Sequence, residues 1–142
     1  MTSMYLNIII LYCLVIAALG FRTQSTSVKG RLVCGTVPQK GVLVRLFDED
    51  DGPDPDDQLD TTYTDDDGYF ELAGDTVEFT NIDPEIRIYH NCNNYINPCE
   101  RAWIIGIPDK YISSGKTPKV TMDMGTMNLE VELEDEGHDC IH

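Results

Sequence analysis

The sequence predicts an all-β fold, an antiparallel sandwich of two sheets with seven or eight strands. Apolar and polar residues alternate with period two in the segments that follow residue 27, which is the pattern of half-buried strands. Turn signals separate these segments, and helical periodicity is nearly absent. Two packed sheets are the economical arrangement for such strands, because each sheet must bury its apolar face.

The individual strands follow from the same alternation. The segment 101–107 is apolar on both faces, which is typical of a central strand or of one that covers a partner. The pair Asp67-Gly68 predicts a tight hairpin, because glycine adopts positive φ. One short turn is expected at 110–112. The predicted strands are 28–34, 42–47, 59–63, 69–72, 86–90, 101–107, 120–124 and 127–133.

The N-terminus predicts a signal peptide at residues 1–20. The run 8–19 is uncharged and apolar but shorter than the roughly 20 residues that span a bilayer. Ala18 and Gly20 supply the small residues of a cleavage site. A retained anchor is the alternative. We therefore expect a secreted, extracellular protein with an extension at 21–27, one domain at 28–142 and no transmembrane segment in the mature chain.

The charge balance excludes one class of partner. The chain has 25 acidic and 10 basic residues, for a net charge of −15. Nucleic acids and anionic membranes attract proteins through a positive field, so non-specific binding to them through bulk charge is not expected.

The cysteines predict two disulfides. Cys13 leaves with the signal peptide, and an even number remains for an oxidising compartment. Four cysteines allow three pairings. We predict that Cys92–Cys99 closes a turn-rich loop and that Cys34–Cys140 joins the start of the domain to its end. The alternative, a zinc site of Cys140 with two histidines, is disfavoured because secreted cysteines pair first.

A set of motifs resembles the nematode transthyretin-like family over residues 28–142. These motifs are 28–34 (VKGRLVC), 42–48 (VLVRLFD), 55–59 (PDDQL), 68–70 (GYF), 88–92 (IYHNC), 111–115 (YISSG), 125–129 (GTMNL) and 139–142 (DCIH). The resemblance implies a secreted transthyretin-like β-sandwich. It also implies a binding role, as a protein-interaction or cell-surface bridging module, with a carrier of a small hydrophobic ligand or lipid as the alternative.

A hydrolase is the remaining alternative. The related hydroxyisourate hydrolases share the sandwich but end in a Tyr-Arg-Gly-Ser motif, whereas this chain ends in GHDCIH. No nucleophile-elbow pattern and no phosphate-binding glycine loop is present in the sequence. We therefore predict a protein that is not an enzyme and that uses no cofactor.

An acidic region spans Asp48 to Asp67, with 11 acidic residues in 20. The main interpretation is a solvated surface that keeps the protein soluble. The alternative is a calcium site, because Ca²⁺ binds several carboxylate oxygens and loops at one end of a sandwich converge. The candidate ligands are Asp48, Asp50, Asp56, Asp57, Asp65 and Asp67.

Basic and aromatic residues predict the contact surface. Lys29, Arg31 and Arg45 precede the acidic region, and the main interpretation is that they balance its charge. The alternative is a local positive patch that binds a lipid head group or an acidic partner. For the strand that contains Trp103 the main interpretation is burial in the core. The alternative is an exposed apolar contact surface with Trp103 and Tyr111 as candidate residues. The expected partner is an extracellular protein, a lipid or a small apolar ligand.

Overall fold

Two five-stranded sheets pack face to face, which confirms the predicted sandwich. We describe a computed structural model that covers residues 2–50, 52 and 55–142. The first sheet contains β1 (Arg22–Cys34), β2 (Val37–Pro38), β5 (Tyr69–Glu78), β8 (Ile112–Ser114) and β9 (Thr121–Asn128). The second contains β3 (Leu43–Asp48), β4 (Asp57–Tyr63), β6 (Pro84–His90), β7 (Glu100–Gly106) and β10 (Gly137–Asp139).

A helix, α1 (Thr2–Gly20), precedes the sandwich. Its side chains from Met4 to Val15 are exposed. No helix among the described residues is long and apolar enough to cross a membrane. The predicted signal peptide includes Met1, which lies outside the described residues, and its cleavage stays a prediction.

The long strand β1 organises the first sheet. It pairs antiparallel with β5 over ten residues, from Arg22 opposite Glu78 to Arg31 opposite Tyr69. Its pairing with β9 is parallel, whereas an antiparallel fold was predicted. A 3-10 helix (Asp109–Tyr111) follows β7, where the sequence predicted a turn.

Strand β1 starts six residues earlier than predicted. Residues 22–27, expected as an extension, lack apolar alternation because their inward side chains are polar. Gln24 donates to the carbonyl of Thr80 at 2.7 Å, and Thr26 donates to the carbonyl of Tyr111 at 3.1 Å. These hydrogen bonds satisfy the inward polar side chains of Gln24 and Thr26, so this part of the strand is stable without an apolar inward face.

The turn at Asp67-Gly68 is present, but it does not form the predicted hairpin. It joins β4 and β5, which belong to different sheets. Gly68 has φ of 83°, and a Cβ there would lie 2.3 Å from the carbonyl oxygen of Leu32. The backbone therefore needs glycine both for its conformation and for its close approach to β1.

The core fills the space between the sheets. Val28, Leu32 and Leu72 enter it from the first sheet, and all are at most 1% exposed. The second sheet contributes Val44, Leu46, Ile86 and Ile88, which have no exposed surface. Trp103 joins the same cluster at 4% exposed.

The predicted strand 127–133 ends at Asn128. The segment 129–136 leaves the sheet and wraps around the guanidinium of Arg101, which donates to the carbonyls of Leu129 and Val131 at 2.8 Å each. Leu129 and Leu133 still pack against the core, which explains their alternation with acidic residues.

Candidate binding site

A groove lies on the outer face of the first sheet, where β9 loses its register with β1. Asp123 is opposite Lys29 but Thr126 is opposite Arg31, so β9 bulges between these pairs. Gly125 in the bulge has φ of 66°. A bulge separates strands locally, and the resulting groove has a volume of about 510 Å³. Its walls include Lys29, Arg31, Tyr69, Glu71, Asp123 and Thr126.

The groove carries charges of both signs. Lys29 lies 3.8 Å from the carboxylate of Asp123, and the side chains of both are about half exposed. Arg31 donates to the carbonyl of Asp67 at 2.8 Å, and its guanidinium lies 5.3 Å from the ring centre of Tyr69. Exposed pairs of this kind contribute about 0–1 kcal/mol, so a partner displaces them at low cost.

The other predicted contact residues lie elsewhere. Arg45 is on β3 of the second sheet, opposite Arg87 and Thr61. Trp103 is buried in the core, so an exposed contact role for Trp103 is wrong. Trp103 occupies one of the inward-facing positions of β7, which places its side chain in the core. Its indole donates to Glu136 at 2.9 Å. Tyr111 is partly buried against the core. Of the five residues predicted for the contact surface, Lys29 and Arg31 line the groove, whereas the other three do not.

The disulfides differ from the predicted pairing. Cys34 is bonded to Cys92, and Cys99 is bonded to Cys140. Cys34 continues the inward-facing positions of β1, and Cys92 continues those of β6, so their side chains meet between the two sheets. Asp139 pairs with Glu100, so the next residues along these antiparallel strands, Cys140 and Cys99, lie opposite each other.

The acidic region does not form one site. Strand β4 separates its two loops, and about seven residues of extended chain place them at opposite ends of the sandwich. Asp65 accepts hydrogen bonds from the amides of Asp67 and Tyr69 and so stabilises its own turn. Asp56 is paired with Arg87, which lowers the pKa of its carboxyl. Asp51 and Asp54 of the predicted region lie outside the described residues.

Asp48 and Asp50 meet a third carboxylate that the sequence did not suggest. Their oxygens and one of Glu78 lie within 4.8 Å of one another. Burial raises the pKa of Asp48 to about 6, with smaller contributions from the negative charges of Asp50 and Glu78. The amide of Asp83 donates to Asp48 at 2.8 Å. A calcium role for Asp48 and Asp50 stays a prediction, whereas Asp57, Asp65 and Asp67 are not in this cluster.

A buried ion pair lies at the other end of the second sheet. Arg101 is bonded to Glu136 at 2.7 Å, and it also donates to the carbonyl of Cys92 at 2.8 Å. The hydrogen bond from Arg101 lowers the pKa of Glu136 to about 2. A lone arginine at the start of an apolar strand was the sequence signal for this network, and it was missed.

His90 lies beside this pair. It is 1% exposed, and its Nδ1 accepts a hydrogen bond from the amide of Cys92 at 3.2 Å. Burial and then the charge of Arg101 lower the pKa of His90 to about 4. The imidazole is therefore neutral at pH 7, and its ring packs edge-on to Trp103 with centres 5.5 Å apart.

The segment 92–99 between β6 and β7 carries two exposed apolar side chains. Tyr95 is 90% exposed and Ile96 is 98% exposed. The segment begins and ends at a disulfide cysteine. We refer to it as the clamped loop. Sequence reasoning placed a turn here but missed the exposure of its apolar residues.

The family model and the relatives that match this chain all belong to the transthyretin-like family. Residues 29–108 match the model of the transthyretin-like family, TTR-52. Transthyretin-like protein 5 of Caenorhabditis elegans is 45% identical over 139 residues, which cover 96% of this chain and 100% of that protein. Transthyretin-like protein 33 of the same organism is 45% identical over 84% of each chain. Transthyretin-like protein 46 is 46% identical over 92% of this chain and 76% of its own length.

Proposed function

Since the chain belongs to the transthyretin-like family, we propose that it is a secreted, non-enzymatic protein that binds another extracellular protein through its outer surface. The observation that carries this proposal is the mixed-charge groove on the outer face of the first sheet. Its volume of about 510 Å³ accommodates several side chains of a partner. Tyr69 is exposed and Arg31 is half-buried, and both belong to the residue types that protein interfaces favour.

The chemistry of the groove favours a protein segment with charges of both signs. Lys29 and Arg31 offer donors for carboxylates, whereas Glu71 and Asp123 offer acceptors for ammonium or guanidinium groups. The ring of Tyr69 supplies an apolar surface between them. Complementary charges of this kind mainly determine specificity and the rate of association.

The interior of the sandwich gives less support to a carrier of small apolar ligands. Such ligands occupy largely apolar, pre-formed cavities. Here Leu32, Leu46, Leu72 and Ile88 of the two sheets pack into one cluster, and each is at most 1% exposed. Hydrolysis is likewise not favoured by His90, because its burial removes the imidazole from any substrate in solvent.

Charge reversal in the groove tests the proposal. The full chain, secreted by cultured cells and recovered from the medium, is immobilised and incubated with extracellular fluid of the source animal. Retained proteins are quantified by mass spectrometry for the wild type and for the K29E/R31E variant. The matched control is K110E/K116E, which makes the same change of charge at two exposed lysines outside the groove.

We expect at least one protein that the wild type and the control retain equally and that K29E/R31E retains at least tenfold less. Equal retention by all three chains would contradict the proposal. The intact mass of the recovered chain tests secretion separately, since residues 1–20 are expected to be missing and the four remaining cysteines to be oxidised.

A further inference from the structure

We propose that the clamped loop, residues 92–99, is a second contact site, and that its Tyr95 and Ile96 insert into an apolar pocket with a basic rim on a partner protein. This inference goes beyond the groove and does not depend on it. Large apolar side chains are rarely left almost wholly in water at adjacent positions of a loop, and an exposed apolar patch typically marks a contact surface. Tyr95 and Ile96 have 90% and 98% of their surfaces exposed.

The backbone of the clamped loop directs these side chains outward. Asn93 and Tyr95 adopt φ of 52° and 42°, in the left-handed region that bulky residues seldom occupy. Such conformations persist when the surroundings fix them, and they concentrate at functional sites. The side chain that turns inward instead is Asn94, which is 8% exposed.

Asn94 holds the loop from inside. Its side-chain amide donates to the carbonyl of Cys99 at 2.8 Å and to the side chain of Asn91 at 2.9 Å. Its own carbonyl accepts a hydrogen bond from the amide of Asn97 at 3.0 Å. The buried polar side chain of Asn94 is therefore hydrogen-bonded within and beside the loop, whereas the two apolar side chains face solvent and are left for a partner.

Both ends of the loop are tied to other strands. Cys92 is bonded to Cys34 at the end of β1, and Cys99 is bonded to Cys140 after β10. A loop fixed in this way loses little conformational freedom on binding. The arrangement is that of a preformed anchor rather than of a segment that orders on contact.

The surrounding charge indicates which partner fits. The segment 91–99 contains no charged residue, whereas the segment 130–136 contains five acidic residues. Arg101 donates from one nitrogen to the carbonyls of both Cys92 and Leu129, so the residues after Leu129 lie next to the loop. The exposed acidic residues of this segment are Glu130, Glu132, Glu134 and Asp135. A pocket with lysine or arginine at its rim complements this surface, whereas an anionic membrane is repelled by it.

Photo-cross-linking at the loop tests the inference. The photoreactive residue p-benzoylphenylalanine replaces Tyr95 in the full secreted chain, which is incubated with extracellular fluid of the source animal and irradiated. The matched control carries the same residue at Phe79, an aromatic position 64% exposed at the opposite end of the sandwich. Unlabelled wild type, Y95S/I96S and E130Q/E132Q/E134Q chains serve as competitors.

We expect a cross-link from position 95, absent from position 79, to a protein whose cross-linked peptide lines an apolar pocket flanked by basic residues. Y95S/I96S should need at least tenfold more protein than the wild type to compete, and the triple glutamine variant several-fold more. The yield should fall as NaCl rises from about 0.05 to about 0.5 M, because salt screens exposed charges.

Three results would overturn the inference: a cross-link to a second copy of this chain, equal competition by Y95S/I96S and the wild type, or sedimentation with phosphatidylcholine–phosphatidylglycerol vesicles that requires Tyr95 and Ile96. K29E/R31E should compete as well as the wild type, because the groove is a different surface. Failure of the groove experiment therefore leaves the result at position 95 unaffected, and the two proposals fail separately.

Discussion

The two ends of the second sheet bury charge in opposite ways. At the acidic end, Asp48 is 1% exposed and lies beside two further carboxylates, so burial and repulsion raise its pKa to about 6. At the disulfide end, the buried charge of Arg101 is neutralised by Glu136, and its guanidinium makes five hydrogen bonds to carbonyl and carboxylate oxygens. The first arrangement costs folding free energy at neutral pH, whereas the second stabilises the fold.

The disulfide end of the second sheet is therefore held rigidly, whereas the acidic end is destabilised by repulsion between its carboxylates. The disulfide end contains both disulfides, the Arg101 network and the clamped loop. The disulfides hold the clamped loop covalently, and Arg101 holds its first residue by a hydrogen bond. The acidic end has no disulfide among its described residues, and its carboxylates repel one another. A contact surface that must keep its shape is better placed at the disulfide end.

Among the changes that test this difference between the two ends, removal of Arg101 should lower the free energy of unfolding most. Arg101→Met leaves Glu136 without its partner and frees three backbone carbonyls, which should lower the free energy of unfolding by about 3–5 kcal/mol. The matched change at the other end is Arg87→Met, which removes pairs to Asp56 and Glu85 from an arginine whose side chain is 22% exposed, against 4% for Arg101. Its loss should stay below about 2 kcal/mol. Urea unfolding at pH 7 measures both.

Equal losses for the two variants would contradict the contrast between the ends. The double variant Arg101→Met with Glu136→Met is the control for the buried charge. It should recover part of the loss, because it removes the unpaired carboxylate that the single variant leaves behind.

Loss of the hydrogen bonds that hold the clamped loop should lower the free energy of unfolding less than Arg101→Met does. Asn94→Ala removes the side-chain donor to Cys99 and Asn91, and a buried hydrogen bond of this kind contributes about 1 kcal/mol. We expect a loss of about 1–2 kcal/mol and faster hydrogen exchange confined to residues 92–99. Ile96→Ser is the control, because an almost wholly exposed side chain contributes little to stability. Unchanged exchange in Asn94→Ala would show that the disulfides alone fix the loop.

The groove should contribute least to stability. Lys29→Ala breaks an exposed pair with Asp123 and should change the free energy of unfolding by less than about 1 kcal/mol. Urea unfolding in low and high salt checks this, since any contribution should vanish on screening. A loss above about 2 kcal/mol would mean that Lys29 supports the fold and is not free to serve binding.

The sequence predicted the sandwich and most strands because their inward faces are apolar. It failed where burial is polar: the inward positions of 22–27 are Gln24 and Thr26, and no alternation marks them. It also failed where a side chain draws the chain out of the sheet, since the alternation at 127–133 continues although Arg101 binds the carbonyls there.

The disulfide pairing shows which signal was overlooked. Cys92–Cys99 was predicted from proximity in the sequence, although Cys34 already shared the inward face of Val28 and Leu32. Ile86, Ile88 and His90 give Cys92 the same inward parity. The Asp48, Asp50 and Glu78 cluster was beyond sequence reasoning, because it depends on where the end of β5 meets the end of β3.

The central claim, that the two ends bury charge in opposite ways, is tested most directly by stability between pH 7 and pH 5. Asp48 has a folded pKa raised above its unfolded value of 3.8, so acidification through 6 protonates it in the folded state first and stabilises the fold. His90 has a folded pKa of about 4 against 6.5, so acidification protonates the unfolded state first and destabilises the fold. Each contribution amounts to about 1–2 kcal/mol over this interval.

The measurement is the free energy of unfolding in urea at pH 7 and pH 5 for the wild type, Asp48→Asn and His90→Asn. The account predicts nearly equal values at the two pH values for the wild type, because the contributions oppose each other. Asp48→Asn should lose about 1–2 kcal/mol on acidification, and His90→Asn should gain a similar amount. The same pH dependence in all three proteins would contradict the account.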